Sequence, residues 1–176
     1  MKYICSAYHN KFTPFWSAPW LQRNIEYRFS TDGSLMYHSD EFNAQTGPQW
    51  GMKFFYLTSL FGQHRNSVNW SLTHLDQMML NAYWYRDGKL QDWPVCEIKP
   101  NQEYLLRIDT TGGMVRWLID GHEVYRIKDW NPKINWIFSP FYGKSGKATA
   151  PHEMRMKINF FNKSALCRER QSYERS

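Results

Sequence analysis

The feature of the sequence that most constrains the fold is the short spacing of turn-forming residues along the whole chain. Between the turns lie short runs rich in aromatic and β-branched residues, and no long window shows helical periodicity. Short runs separated by frequent turns are typical of an all-β domain. The breaks are Thr31-Asp32-Gly33, Thr46-Gly47-Pro48, Asp87-Gly88, Lys99-Pro100-Asn101, Gly112-Gly113, Asp120-Gly121, Asn131-Pro132 and 143–151.

Residues 112–127, GGMVRWLIDGHEVYRI, predict a β-hairpin. Val115, Trp117 and Ile119 alternate with residues of the opposite face as far as the pair Asp120-Gly121. An Asp-Gly pair between two extended runs is a strong signal for a two-residue hairpin turn. Extended character resumes after the turn, so we expect the second strand at 123–127.

The pattern predicts eleven strands, which are too many for one flat sheet. Two packed antiparallel sheets with alternating inward and outward residues bury them best, so we expect an all-β jelly-roll sandwich. We assign 1–24 to an N-terminal aromatic arm, 25–162 to the sandwich and 163–176 to a charged C-terminal tail. The expected strands are 25–30, 35–38, 52–60, 67–73, 77–86, 95–98, 103–109, 114–120, 123–127, 134–138 and 154–161.

The composition adds two constraints on function. Aromatic residues make up 18% of the chain, including nine Trp and eleven Tyr, which is more than a core alone requires. Either both sheets are rich in rings, or many rings face a ligand or partner. The formal net charge of +6 fits an acidic glycan or a membrane surface. No block of Lys and Arg resembles a nucleic-acid-binding arm, so we expect no nucleic-acid partner.

The cysteines and the apolar runs say less. Cys5, Cys96 and Cys167 are odd in number and match no zinc spacing, so no disulfide framework is expected, although one bridge stays open. The first residues contain no apolar segment of signal-peptide length, and no run is long enough to span a membrane. We therefore expect a soluble protein of unknown compartment, extracellular or surface-associated if it is a mature fragment or a virion component.

Three segments resemble the concanavalin A-like lectin/glucanase jelly rolls, in particular bacterial polysaccharide-lyase-like or uncharacterised members. They are EYLLRIDTTGGMVRWLIDGHEVYRI, WIFSPFYGKSGKATAPHEMRMKINFF and HRNSVNW followed by LNAYWYRDGK. Together they cover roughly 50–161, most of the domain. The resemblance implies the fold directly. It leaves the function open, because the family includes lectins, glycan-binding modules, glycoside hydrolases, polysaccharide lyases and structural domains.

The family's enzymes give two tests for chemistry. Retaining glucanases carry a Glu-x-Asp-x-Glu strand that sets two carboxylates on one face, and this sequence has no such strand. A uronate lyase needs a base, an acid and a group that neutralises the carboxylate. The residue types are present, with His64, Arg65 and Asn69 for base and carboxylate binding and Tyr83 or Tyr85 for the acid. The family's own triplets are absent, and 63–66 also fits a polar loop.

Carbohydrate binding requires less, and it is the function that the sequence favours. The strand LNAYWYR places Asn81, Tyr83 and Tyr85 on one face, and Asn69 belongs to the polar face of the preceding strand SVNWSLT. Rings stack on sugars while amides and cations bind hydroxyls. The predicted carbohydrate-binding residues are Lys53, His64, Arg65, Asn69, Asn81, Tyr83 and Tyr85 on a concave sheet face. No calcium-binding run of Asp and Asn occurs, so we expect no metal and no cofactor.

The tryptophans and the aromatic arm raise a third possibility. Trp117 and Trp136 alternate in phase with aliphatic residues and are expected in the core. Loop and Pro-flanked tryptophans are better candidates for exposed contacts, namely Trp16, Trp20, Trp93 and Trp130. An arm of this kind also suits a structural or assembly protein of a virion or appendage surface, held together as a homo-oligomer. Non-catalytic glycan binding, polysaccharide lysis and assembly therefore all remain open.

Overall fold

A computed structural model describes residues 1–7, 9–36, 52–59, 66–73, 77–142 and 150–161. Every regular element within these residues is a β-strand. The strands are β1 (Lys2–Cys5), β2 (Ser17–Pro19), β3 (Asn24–Ser30), β4 (Met52–Lys53), β5 (Tyr56–Thr58), β6 (Ser67–Thr73), β7 (Met79–Arg86), β8 (Lys89–Glu97), β9 (Tyr104–Asp109), β10 (Val115–Ile119), β11 (His122–Ile127), β12 (Trp136–Phe138), β13 (Phe141–Tyr142) and β14 (Met154–Phe160).

The strands form two antiparallel sheets. In the described part of the chain the six-stranded sheet has the order β1-β14-β3-β9-β10-β11. The eight-stranded sheet joins β2, β12, β5, β6, β4 and β13, and β7 and β8 continue it beyond β6. Strands β4 and β5 both pair with β6, so they act as one interrupted strand. Each sheet thus has an inner face toward the other sheet and an outer face.

The core lies between the two inner faces and explains why these runs become strands. On β6, Val68, Trp70 and Leu72 are fully buried, and the alternation continues on the partner strand β7. On the six-stranded sheet, Trp117 is fully buried in the same core cluster. Period-two burial of large apolar side chains is the main stabilising feature of such a sandwich. It also directs the other half of β6 and β7 to the outer face.

The predicted hairpin at Asp120-Gly121 is confirmed. Strands β10 and β11 pair antiparallel on either side of it. The φ angles of Asp120 and Gly121 are 50° and 81°, which is the left-handed pair that a type I′ turn requires. The pair Asp87-Gly88 repeats this geometry, with φ of 49° and 79°, and joins β7 to β8. Both turns suit Asp-Gly because Gly and Asp tolerate positive φ.

Most predicted strands are present, with three differences within the described residues. The predicted strand 52–60 is interrupted, because consecutive Phe54 and Phe55 are both buried and break the alternation. The predicted strand at 35–38 is wrong where it is described: Leu35 lies in a turn, and 37 and 38 fall outside the described residues. Strand β8 begins at Lys89 rather than at the predicted residue 95.

Residues 1–24, expected to form an arm, contribute strands to both sheets. Strand β1 pairs with β14, and β2 pairs with β12. Tyr3, Cys5 and Phe12 are fully buried in the core cluster. The segment therefore forms part of the sandwich. The expected C-terminal tail, 163–176, lies outside the described residues. No helix in the described residues has the length and apolar character to span a membrane.

Candidate functional site

The outer face of the eight-stranded sheet carries a cluster of buried polar side chains, which we call the polar centre. Cross-strand pairing fixes its layout: Lys53 is opposite Ser71, and Ser71 is opposite Asn81. One row away, Asn69 is opposite Tyr83, which in turn is opposite Asp92 of β8. The polar centre consists of Lys53, Ser67, Asn69, Ser71 and Asn81, all less than 9% exposed.

Two atoms of the polar centre lack a hydrogen-bond partner among the described residues. The Asn69 side-chain amide donates from Nδ2 to the Trp70 carbonyl at 2.9 Å, which leaves its Oδ1 buried and unpaired. The Ser67 hydroxyl, two residues earlier on the same face, is also buried and unpaired. A buried polar atom without a partner costs about 1–3 kcal/mol. Both atoms are closed off from solvent, so a partner from outside the chain reaches them only when neighbouring side chains move.

Asp92 connects the edge strand to the polar centre. The Ser71 hydroxyl donates to Asp92 Oδ1, and Lys53 Nζ lies 3.5 Å from Asp92 Oδ2. The Asn81 amide donates to Thr73 Oγ1 at 3.0 Å and to Ser71 Oγ at 3.4 Å. Asn81 is thereby held with its side chain across β6. Within the described residues, Asp92 is the one carboxylate that contacts the polar centre.

Tyr83 of β7 lies between Asn69 of β6 and Asp92 of β8. Its ring lies 4.2 Å below the Lys53 ammonium, a cation–π contact. Burial raises the pKa of the Tyr83 phenol well above its ordinary value, and Tyr56, Asp92 and Tyr85 add to the rise. The phenol is therefore protonated throughout the physiological pH range and can donate a hydrogen bond, while its raised pKa makes it a weaker acid than an ordinary tyrosine.

Aromatic rings border the polar centre, and we call them the aromatic rim: Tyr56, Tyr85, Trp136, Phe138 and Phe141. All five are partly exposed. Register places them on the outer face, because Phe138 is opposite Tyr56 and Trp136 is opposite Thr58. The Tyr56 ring packs near Tyr83, Phe138 and Phe141 at centroid separations of 6.4, 6.5 and 5.9 Å. Buried polar groups flanked by accessible rings are typical of ligand sites.

Comparison with known proteins identifies the fold of the chain but not its function. No protein-family model matches the chain, and no curated protein matches it. Solved structures match over most of the chain. A lichenase from a mouse hindgut metagenome has a TM-score of 0.56 at 10% identity and covers 90% of this chain and 78% of its own. An alginate lyase mutant with a bound alginate trisaccharide has a TM-score of 0.58 at 12% identity, with the same two coverages.

A third match is a laminarinase catalytic domain from Thermotoga maritima, with a TM-score of 0.57 at 10% identity over 90% of this chain and 74% of that one. All three are enzymes of the jelly-roll class. The chain has a concanavalin A-like jelly-roll fold. The resemblance inferred from the sequence is thus confirmed for the fold, and identities this low carry no further conclusion.

The jelly roll brings together five of the seven predicted binding residues. Lys53, Asn69 and Asn81 lie in the polar centre, Tyr83 beneath it and Tyr85 in the aromatic rim. They share one face, as the alternation predicted, although Asn69, Asn81 and Lys53 are buried where an open wet face was expected. His64 and Arg65 lie outside the described residues.

Sequence reasoning did not select five residues that belong to or contact this group: Tyr56, Ser67, Ser71, Thr73 and Asp92. Asp92 escaped notice because the strand was expected to begin only after Pro94. The alternation of β5 and β6 is the signal that could have identified Tyr56 and Ser71, since both are in phase with residues that were chosen.

The tryptophan predictions are divided. Trp117 is fully buried, as expected. Trp136 is half-buried on the outer face, because Ile137 is the residue of β12 that enters the core, so its core assignment is wrong. Trp20 and Trp130 are buried although exposure was expected, and Trp16 packs against the core. Trp93 is exposed, as predicted.

Proposed function

We propose that this jelly roll binds a polysaccharide on the outer face of its eight-stranded sheet, without cleaving it. The observation that carries the proposal is the group of partly exposed rings, the aromatic rim, that borders the polar centre on one sheet face. Sugar hydroxyls both donate and accept hydrogen bonds. A sugar that displaced the side chains covering Asn69 Oδ1 and Ser67 Oγ would give both buried atoms a partner.

The rim supplies the second half of sugar recognition. Pyranose rings present apolar C–H faces, and these pack on aromatic rings. Tyr56 and Tyr85 flank the polar centre on either side of β6, so a sugar held by Asn69 has rings within reach. The similar solved structures are named as enzymes of polysaccharides, including a κ-carrageenase, which supports a polymer as the ligand class.

Hydrolysis by paired carboxylates finds no support at this face. Retaining and inverting glycosidases both need two carboxyl groups across the scissile bond. Asp92 is the one carboxylate at the polar centre within the described ranges, and it is engaged with Ser71 and Lys53. Binding without cleavage needs no second carboxylate at this face.

Replacing Asn69 by leucine tests the binding proposal. Leucine has nearly the same volume but offers no polar atoms, so we expect binding to weaken by about tenfold while the fold persists. The measurement is retention of the purified protein on gels containing alginate, 1,3-β-glucan, 1,3-1,4-β-glucan or κ-carrageenan, followed by calorimetry on the polymer that retains it.

The matched control is Asn159→Leu, the same change on the exposed part of β14 in the other sheet. It should leave retention unchanged. A second variant, Tyr85→Ala, removes a half-buried ring from the rim and should also weaken binding if Asn69→Leu fails to fold. Retention of wild-type and both site variants to the same extent, or retention of none on any polymer, would refute the proposal.

A uronate lyase is the second candidate, and the Tyr83–Lys53 pair is the observation that favours it. The Tyr83 phenol and the Lys53 ammonium place an O–H group next to a cation that would attract a uronate carboxylate. In that case Tyr83 would protonate the leaving oxygen. The base that takes the proton beside the carboxylate is assigned to His64, which lies outside the described residues.

Tyr83→Phe separates the two candidates. Phenylalanine keeps the ring under Lys53 but removes the acidic proton. Lyase activity is followed as the absorbance of the unsaturated product formed from alginate and other uronate polymers. We expect no product from the wild-type protein if the site only binds. Product that falls by at least about a hundredfold in Tyr83→Phe, with polymer retention intact, would establish the lyase and displace the binding-only proposal.

A further inference from the structure

A ladder of four aromatic rings leads from the core to the open side of the sandwich. Trp117 is fully buried, and its ring lies 6.0 Å from Trp84 and 5.6 Å from Tyr125. Trp84 and Tyr125 stack at 5.1 Å with an interplanar angle of 27°. Trp93 completes the ladder at 6.0 Å and 31° from Tyr125. Each ring packs against the one before it, so Trp93 has Tyr125 as a ring neighbour on its core side.

Trp93 is more exposed than a residue that only closes the sandwich needs to be. It is 54% exposed, whereas Trp20 and Trp130, which lie outside the strands, are 3% and 6% exposed. In the described part of the chain, it stands on β8, at one edge of its sheet, and Tyr125 stands on β11, at one edge of the other. A rigid, half-open indole is a ready-made surface for stacking.

The edge of β8 is poorly suited to pairing with a further strand. Pro94 has no backbone N–H, and the register shift that falls between Leu80 and Asn81 marks an irregularity beside it. Charged residues at Lys89, Asp92 and Glu97 add to this. Proline, irregular pairing and charge are the features by which edge strands resist strand addition. A partner at this edge is therefore expected to contact the Trp93 ring rather than to add a strand to β8.

Trp93 adjoins the proposed binding face at the β8 edge, on the other side of the strand. It follows Asp92, whose carboxylate contacts Lys53 and Ser71 in the polar centre. Alternation sends the two side chains to opposite sides of the same edge strand. Strands are spaced about 4.8 Å apart, so a polymer that lies across β6 and β7 reaches the β8 edge within about 10 Å. A chain of several sugar residues that passes over Asp92 and turns round the β8 edge would meet Trp93.

We propose that Trp93 is an additional stacking platform for the same polysaccharide, engaged only by chains long enough to cross the β8 edge. This rests on the proposed function, and it adds a length-dependent contact outside the sheet face. It makes the protein prefer polymers over short oligosaccharides. The ladder provides the rigidity, because a platform that is already ordered loses little side-chain entropy on binding.

The test compares a trisaccharide with its parent polymer, using whichever of alginate, 1,3-β-glucan, 1,3-1,4-β-glucan or κ-carrageenan the wild-type protein retains. Trp93→Ala should weaken polymer binding by about threefold to tenfold and leave trisaccharide binding unchanged. Trp93→Phe, which keeps a ring, should restore most of the loss. The control is Val124→Ala, which trims another exposed apolar side chain on the neighbouring edge. Thermal unfolding of each variant is measured alongside.

The outcomes distinguish the Trp93 platform from polysaccharide binding on the sheet face. Polymer and trisaccharide binding both unchanged in a folded Trp93→Ala would overturn the platform and leave the proposed function standing. Equal weakening of both ligands would overturn it too, since the effect would then be structural. A wild-type protein that binds neither ligand would remove the proposed function and the platform together. If Trp93→Ala does not fold, Trp93→Gln, which keeps a long side chain but no ring, takes its place.

Discussion

Replacing Trp117 by alanine is expected to lower the free energy of unfolding by about 3–5 kcal/mol. The side chain is fully buried, and its ring contacts those of Trp84 and Tyr125 in the ladder. Its Nε1 donates to the Asn69 carbonyl at 3.0 Å, which links the six-stranded sheet to the strand that carries the polar centre. Alanine removes the ring, opens a cavity between the sheets and leaves that carbonyl without its donor.

Urea unfolding monitored by far-ultraviolet circular dichroism measures the loss. The variant Trp117→Phe divides it, because phenylalanine retains much of the buried area but cannot donate the hydrogen bond. We expect it to cost about 1–3 kcal/mol. Val124→Ala, on the exposed part of β11, should change the free energy of unfolding by less than about 0.5 kcal/mol. A Trp117→Ala protein within 1 kcal/mol of wild-type would show that this ring is not central to the core.

The sequence predicted best those strands whose pattern is local. Strand β6 alternates apolar and polar residues without interruption, so its extent and the faces of Asn69, Asn81 and Tyr83 could be read directly, although β7 begins at Met79, two residues later than predicted. The turn at Asp120-Gly121 was equally legible, because positive φ is a requirement that few residue types meet. In each case the physical cause lies within ten or so residues of the signal.

Edge strands were harder, because their pattern depends on what lies beside them. Most of β8 is exposed on both faces, so no alternation marks it, and Pro94 argues against a strand. It becomes a strand because the Asp87-Gly88 turn folds it back on β7. Similarly, β1 and β2 are ordered by partners far away in sequence. Local sequence patterns do not predict pairing between strands that are far apart in the sequence.

The same distinction explains how much of the site could be foreseen. Which residues share a face follows from period two, and that part was predicted. Whether the face is open follows from how the whole chain packs, and the expected wet surface is a buried polar centre instead. The contact between Lys53 and Asp92 joins two strands that are separated by β6 and β7, so no local pattern announces it.

Replacing Asp109 by asparagine is expected to cost about 2–3 kcal/mol of stability at pH 7, with a characteristic dependence on pH. The Asp109 side chain is 7% exposed at the end of β9. Its Oδ2 accepts from Arg116 at 2.9 Å and from Arg107 at 3.1 Å, while its Oδ1 accepts from both the backbone N and the hydroxyl of Thr111. Removing the charge leaves two guanidinium groups facing each other. Each is about one-third exposed, so water recovers part of the loss.

The pH dependence identifies the carboxylate as the cause. Burial alone would raise the pKa of Asp109, but the hydrogen bonds from Thr111 and the charges of Arg116 and Arg107 outweigh it, and the pKa is lowered below 3.8. A lowered folded-state pKa contributes stability that is present above the unfolded-state pKa and lost as pH falls through the folded-state pKa. The difference between wild-type and Asp109→Asn should therefore hold from pH 7 to pH 5 and shrink below about pH 4. Urea midpoints at pH 7, 5 and 3 measure it.

Asp87→Asn, a surface carboxylate paired with Arg86, is the matched control and should change stability by less than about 0.5 kcal/mol. A difference for Asp109→Asn that stays constant down to pH 3 would mean that its charge contributes nothing and that only the shape of the side chain is required.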